Sequence, residues 1–239
     1  MNVKLLEHTP EPEKLVATAA KLCYSKKADI DELMNDLTAD KVKKFVDKLE
    51  GLGHASPFEH ASFTFGIEGV SRALLAQITR HREASYSVRS QRYCAEKGFE
   101  YVKPDTIMKN DAARITYRSI MADIEKAYDK LVDLGVPKED ARMVLPNACE
   151  TRMIVTMNTR ELWHFFHLRC CSRAQWEIRA LAMEMLKECR EAAPLLFKHA
   201  GPACMNGYCP EGAMSCGKAP TLDAILDAYH HVHFLSSAH

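Results

Sequence analysis

From Ala61 to Val70 the chain alternates, with Phe63, Phe65 and Ile67 on one side and Ser62, Thr64 and Glu68 among the opposite positions. Successive side chains of a strand point to opposite faces, so this stretch predicts a strand covered on one side only. Such a strand needs a sheet with one buried face, and the covering layer has to come from the segments around it. The period then changes. Ser71 to Arg80 carries Ala73, Leu74, Ala76 and Ile78 at helical spacing, so a helix is expected to end where His81 and Arg82 begin.

The remaining segments supply the other elements. Val3 to His8 predicts a first strand, closed by Thr9-Pro10 and Glu11-Pro12. Pro12 opens a helix lined by Leu15, Val16, Ala19, Ala20, Leu22 and Cys23, with Glu11 and Glu13 at its positive end. Asp29 to Leu37 and Asp40 to Leu49 predict two shorter helices, the second stopped by Gly51 and Gly53. Ser56, just before Pro57, is expected to cap a short helix containing Glu59. Phe99 to Val102 reads as extended. Asn110 to Leu134 predicts a long helix with Ile115, Ile120, Ile124, Ala127, Tyr128 and Leu131 inward, and Pro137 starts another through Arg142 to about Leu145. Thr151 to Thr156 is strand-like, Asn158-Thr159-Arg160-Glu161 opens a helix as a capping box, and Ser172 to Lys198 predicts a last long helix. This mixed order without regular βαβ alternation gives an α+β class. A chain of 239 residues holds one sizeable domain, placed at 1–200 with a tail at 201–239.

Charge narrows the choice of partner. With 32 basic and 32 acidic residues the chain has no net field to draw it to nucleic acid or an anionic membrane, so an anionic ligand must be small and locally held. No apolar run reaches membrane-spanning length and the first residues lack a signal peptide's core, so a cytoplasmic location is expected. Nine cysteines, an odd number with Cys170 and Cys171 adjacent, read as reduced thiols.

The local charge sits between Gln77 and Tyr93, where Arg80, Arg82, Arg89 and Arg92, with Arg72 upstream, lie among His81, Ser85, Ser87 and Ser90. Two readings are open, a solvated basic face or an anion site. Guanidinium forks bond phosphate or carboxylate at two points, and serine hydroxyls with loop N–H groups fill the remaining positions. The helix before the cluster and the serines after it favour a site, with the serine-rich part expected to be a loop around a ligand.

Arg80-His81-Arg82, then seven residues, then Ser90 with Gln91-Arg92-Tyr93, resembles the R-H-R-x7-S signature of the flavin-dependent thymidylate synthases. Gly53 to His60 before it and Arg142 to Ile178 after it support the likeness, which covers residues 1 to 198. The resemblance implies that family's fold, a mixed and mainly antiparallel sheet with several long helices. It implies a homotetramer with FAD at subunit interfaces, reduced by NADPH, that takes a methylene from methylenetetrahydrofolate to convert dUMP to dTMP. On the matching positions it implies that Gln77, Ile78, Thr79, Arg80, Val88, Arg89, Ser90, Gln91, Arg92, Arg142 and Arg169 meet dUMP. It assigns Ser56, Arg80, His81, Arg82, Glu83, Val88, Asn158, Thr159, Arg160 and His164 to the flavin, with His54 and Glu59 bordering the same cavity. Three positions depart from the family's pattern. Val88 stands where Glu or Gln is common, His164 where asparagine is more frequent, and Arg173 where histidine is frequent.

Chemistry read from the residues runs alongside. Asn158, Arg160 and His164 can ring the opening turns of a helix whose N–H groups attract phosphate or flavin carbonyls. Arg142 and Arg169 sit in apolar segments, so each implies a buried carboxylate or a bound anion. By resemblance Arg169 contacts the uracil, and a guanidinium suits charge developing on N3 and the carbonyl oxygens, though it is no base at neutral pH. Ser90 reads as a nucleotide ligand and not a nucleophile, and no cysteine in the motifs is placed as a thiolate nucleophile. The pair His164 and His167 lacks a third ligand at zinc spacing, so no metal is assigned there. Cys204, Cys209 and Cys216, with His199 or His230, fit either a structural metal site or free thiols. Two other function classes remain: a nucleic-acid-binding module, disfavoured by the zero net charge, and a flavoprotein without synthase activity, raised by Val88.

Overall fold

The computed structural model describes residues 1–26, 29–206 and 209–217. In chain order the elements are β1 (Asn2–His8), α1 (Pro12–Leu22), α2 (Ile30–Asn35), α3 (Ala39–Leu52), a 3-10 turn at Ser56–His60, β2 (Ser62–Ser71) and α4 (Arg72–Ile78). There follow β3 (Ala84–Val88), α5 (Asp105–Met108), α6 (Asp111–Asp133), α7 (Lys138–Ala141), a 3-10 turn at Arg142–Val144, β4 (Glu150–Asn158), α8 (Thr159–Arg169), α9 (Trp176–Ala192) and α10 (Pro194–Phe197). The four strands form one antiparallel sheet in the order β1-β2-β4-β3, an α+β architecture. By compactness the chain divides into two units. One comprises Met1–Asn2, Gly66–Arg80 and Tyr86–Val155; the other comprises Val3–Phe65, His81–Ser85 and Thr156 onward.

The second unit holds the larger core. Phe63 and Phe65 of β2 are fully buried, as the alternation requires, while Thr64 on the other face bonds Thr156 of β4 at 2.9 Å between hydroxyls. Aromatic rings pass the packing inward. Phe63 meets Phe197 edge-on at 5.2 Å, Phe197 meets Phe166 at 6.1 Å, and Phe166 meets Phe165 at 5.7 Å. Val16, Leu33, Val46 and Phe58 add the buried faces of α1, α2, α3 and the 56–60 turn. In the first unit the core gathers Phe99, Met121 and Cys149, with Tyr101, Tyr117, Ile124 and Leu145 against it. Tyr128 is fully buried there, and its hydroxyl accepts the Glu96 N–H at 3.0 Å.

Several expectations are corrected. Ser56 begins its 3-10 turn and makes no cap; the N-cap position belongs to Ala55. Gly51 lies inside α3, and Gly53 alone ends it, at φ +69, a left-handed conformation that glycine adopts without steric cost. The serine-rich stretch expected as a loop contains β3, whose residues alternate half-buried and exposed. The serines occupy the outward positions of that alternation. On α6 the inward face is Tyr117, Met121, Ile124 and Tyr128, whereas Ile115 and Ile120 are exposed. The last long helix starts at Trp176 and breaks at Ala193, with φ −146 and ψ 70, because a residue before proline is disfavoured in the helical region. His230 and most of the 201–239 tail lie outside the described residues. Among the described residues no helix is long and apolar enough to cross a membrane.

Candidate functional site

In the second unit the helix α8 organises the candidate residues. Leu162, Phe165 and Phe166 face the core, which leaves Arg160 and His164 on the exposed side. Asn158 caps the helix, its Oδ1 accepting the Glu161 N–H at 2.9 Å. Its side-chain NH2 can still donate to a ligand. Thr159 is fully buried, its N–H and hydroxyl both directed at the Ala61 carbonyl (2.8 and 3.2 Å), so it anchors the helix start to the chain before β2. Arg160 pairs with Glu59 of the 56–60 turn, both exposed. Only half of the expected capping box forms. The Glu161 carboxylate turns to His81, 3.1 Å from Nδ1, and both side chains are buried.

Where α8 ends, Arg169 is half-buried and its Nε donates to His81 Nε2 at 3.1 Å. Burial pushes the His81 pKa down to about 4, and the charges of Arg169 and His164 push the same way. Burial also lowers Arg169 and His167, and it raises Glu161. The His81 ring stands edge-on to Phe165 at 5.0 Å and to His164 at 5.6 Å. Sequence reasoning missed Glu161 as a functional group: its capping-box position gave a sufficient local explanation. Of the two expectations for Arg169, a buried carboxylate or a bound anion, the first is not met among the described residues: an imidazole stands beside it.

In the first unit, Gln77, Ile78 and Thr79 close α4. The Gln77 amide reaches the Ala73 carbonyl at 3.4 Å and the Thr79 hydroxyl donates to the Leu75 carbonyl at 2.9 Å. Ile78 is fully buried and its carbonyl accepts the Tyr86 hydroxyl at 2.7 Å, which ties β3 to the end of α4. After Val88 the chain turns tightly. Ser90 Oγ accepts the Arg92 N–H at 3.2 Å, and the Ser90 carbonyl accepts the Cys94 N–H at 3.0 Å. Gln91 is buried against Cys149, whose thiol is pushed up to about 11 by burial and then by Glu96.

The arginines are not equivalent. Arg89 pairs with the buried Glu96 at 2.6 Å, and Arg92 with Glu139 at 2.6 Å. Arg142 Nε donates to the Glu139 carbonyl at 3.1 Å, so Glu139 holds Arg92 by its side chain and Arg142 by its backbone. Among the described residues no carboxylate pairs with Arg80, Arg82, Arg142 or Arg169. Arg80 and Arg82 are exposed, and Arg142 and Arg169 are half-buried. Uncompensated guanidinium groups beside a helix end suit phosphate and carbonyl acceptors.

A profile of the thymidylate synthase complementing protein family matches residues 4–195. The chain belongs to this family. The chain is 57% identical over 221 residues to a flavin-dependent thymidylate synthase of Geobacter sulfurreducens, covering 92% of this chain and 95% of that protein. A protein of the same name from Clostridium tetani is 52% identical over 241 residues, covering 94% and 96%, and one from Pyrococcus furiosus is 41% identical over 220 residues, covering 88% and 90%. The part matched by the thymidylate synthase complementing protein family includes every candidate residue named above and stops before the cysteine-bearing tail.

Two further features frame the site of this family member. In the second unit a cavity of about 700 Å³ opens between His54, Phe58, Trp163, His167, Lys198 and His199. His54 lines this cavity, none of the residues assigned to the flavin does, and Glu59 is engaged with Arg160. Among the described residues no group of three or more His, Cys, Asp or Glu side chains could hold a metal. The Cys170 thiol, at the edge of the site, is raised by burial, which disfavours the thiolate a nucleophile would need.

Proposed function

We propose that this chain is a flavin-dependent thymidylate synthase that methylates dUMP to dTMP, with methylenetetrahydrofolate as one-carbon donor and NADPH as reductant. The observation that carries the reading is family membership over nearly the whole chain, at 57% identity to a relative bearing that name. FAD, when bound, supplies the redox chemistry. The residues fit such a group: Arg82 and the Asn158 amide offer donors, and Arg160 and His164 line the exposed side of α8. Ser56, Arg80, His81, Glu83, Val88 and Thr159 complete the flavin assignment, with Thr159 acting through the helix start it anchors.

The nucleotide is assigned to Gln77, Ile78, Thr79, Arg80, Val88, Arg89, Ser90, Gln91, Arg92, Arg142 and Arg169. Geometry divides their work. Ile78, buried, offers only backbone. Arg89, neutralised by Glu96, holds the turn that presents Ser90 and the N–H groups near it. Arg142 brings a guanidinium without a carboxylate partner for the phosphate. Arg169 is assigned to the uracil edge, where its charge stabilises the pyrimidine as negative charge grows on N3. The resemblance supports a homotetramer that shares its flavin sites between subunits, and a cytoplasmic location. Sedimentation with and without FAD tests the first, because a shared site links cofactor binding to assembly.

The primary test is titration with FAD followed by a dUMP-dependent methyl-transfer assay. The protein is expected to purify yellow or turn yellow on titration, and then to form dTMP only with all three co-substrates present. Colourless protein with no FAD binding overturns the reading. Ser90→Ala is expected to weaken dUMP binding while turnover stays measurable, since losing a hydrogen bond to a charged group costs about 1.5–3 kcal/mol. Abolished turnover at saturating dUMP, with FAD still bound, would instead assign Ser90 a nucleophilic role.

A further inference from the structure

Arg169 has no carboxylate partner among the described residues, yet its guanidinium is fixed. Its Nε–H points at His81 Nε2, 3.1 Å away, and His81 Nδ1 lies 3.1 Å from the Glu161 carboxylate. Arginine has no acceptor atom, so Nε2 must be the unprotonated nitrogen. The proton therefore sits on Nδ1 and is donated to Glu161. A doubly protonated ring would set Nε2–H against Nε–H, two donors and two positive charges face to face. The surroundings hold the neutral form: the ring is buried, Phe165 packs edge-on against it, and Arg169 and His164 bring positive charge or polarity nearby. Glu161 is itself placed by α8, its N–H capped by Asn158. Each member of the chain Glu161, His81, Arg169 thus fixes the next.

We propose that His81, held by Glu161 as its Nδ1–H tautomer, is a positioning residue that locks Arg169 by its Nε and leaves both terminal NH2 groups free for the substrate's ring edge. The inference rests on the assignment of Arg169 to the uracil made above. It gives the central histidine of the Arg80-His81-Arg82 motif work distinct from flavin contact. It also explains why a buried carboxylate lies near Arg169 without pairing with it. A direct Glu161–Arg169 pair would engage the fork, whereas an intervening imidazole takes only the Nε–H. Glutamine can place an oxygen close to where Nε2 lies, so it preserves the acceptor that leucine removes.

The test is a double-mutant cycle on FAD-loaded enzyme, after wild-type methyl transfer has been demonstrated. His81→Leu is expected to lower kcat for methyl transfer by about 10- to 100-fold, the scale of a misplaced catalytic group, with His81→Gln recovering most of that loss. In an Arg169→Ala background His81→Leu should cost almost nothing more, because the residue it positions is gone. Glu161→Leu should act in the same direction and Glu161→Gln, which keeps an acceptor for Nδ1–H, much less. Thermal midpoints identify any variant that has lost its fold, and the glutamine variants then carry the comparison. Full additivity of His81→Leu and Arg169→Ala, or equal loss in His81→Gln and His81→Leu, overturns the proposal. Wild-type protein that binds FAD yet never methylates dUMP would overturn the function instead, leaving a different signature.

Discussion

Arg169→Ala is expected to lower dUMP-dependent methyl transfer by roughly 100-fold or more, the scale seen when one preorganised donor to a developing anion is removed. The half-buried guanidinium at the end of α8 is held by His81, and on the proposed assignment to the uracil it would meet the transition state without reorganisation. Burial lowers its pKa, but a guanidinium remains a cation and a donor at neutral pH, never a general base. Arg169→Lys is expected to recover little. An ammonium is a point charge that cannot present two parallel N–H groups, and it has no Nε–H for the His81 lone pair at the same place. FAD titration of both variants should match wild type, since the exposed residues of α8 proposed above for the flavin, Arg160 and His164, lie upstream of Arg169. The assay is steady-state dTMP formation at saturating dUMP with FAD loading checked by absorbance. Full turnover in Arg169→Ala would reduce this residue to a structural partner of His81.

How far the site was legible in the sequence follows from the range of the forces involved. Local rules placed the main elements around it: the β2 alternation, the helical spacing after Ser71 that gives α4, Asn158 before α8 and Gly53 after α3 were all readable because each acts within a few residues. Pairings across longer separations were not. Nothing in the Arg-rich stretch shows that Arg89 is neutralised by Glu96 and Arg92 by Glu139 while Arg80 and Arg82 keep their charge exposed. Glu161 had a complete local role as a capping-box partner, so its use by His81, eighty positions away, left no trace. The same limit explains β3. Serines at its alternate positions suggested a ligand loop, but they are the solvent side of a strand whose Ala84, Tyr86 and Val88 are half-buried. On α6, apolar residues were more numerous than the core needed, and tertiary packing selected Met121 and Tyr128 over Ile115 and Ile120.

Phe166→Ala is expected to produce the largest loss of stability short of unfolding, about 3–5 kcal/mol, because the fully buried ring leaves a cavity between Phe165 and Phe197 that rigid neighbours cannot close. That is a large part of the total stability of an ordinary domain, so the thermal midpoint should fall by many degrees. The position also tests how α8 joins core to site. Phe166 lies on the face opposite Arg160 and His164, so a variant that folds should bind FAD nearly as tightly as wild type. Ligand that binds only the folded state stabilises it by RT ln(1 + [L]/Kd), about 2.7 kcal/mol at a hundredfold excess over Kd. Excess FAD is therefore expected to return more than half of the lost stability at the lower end of that range. Melting curves at one fixed protein concentration, with and without FAD, check both statements. A loss below about 1 kcal/mol would mean the core collapses around the cavity. Unchanged melting with FAD, together with a much weaker Kd, would mean instead that removing the ring moves α8 and takes the exposed face with it.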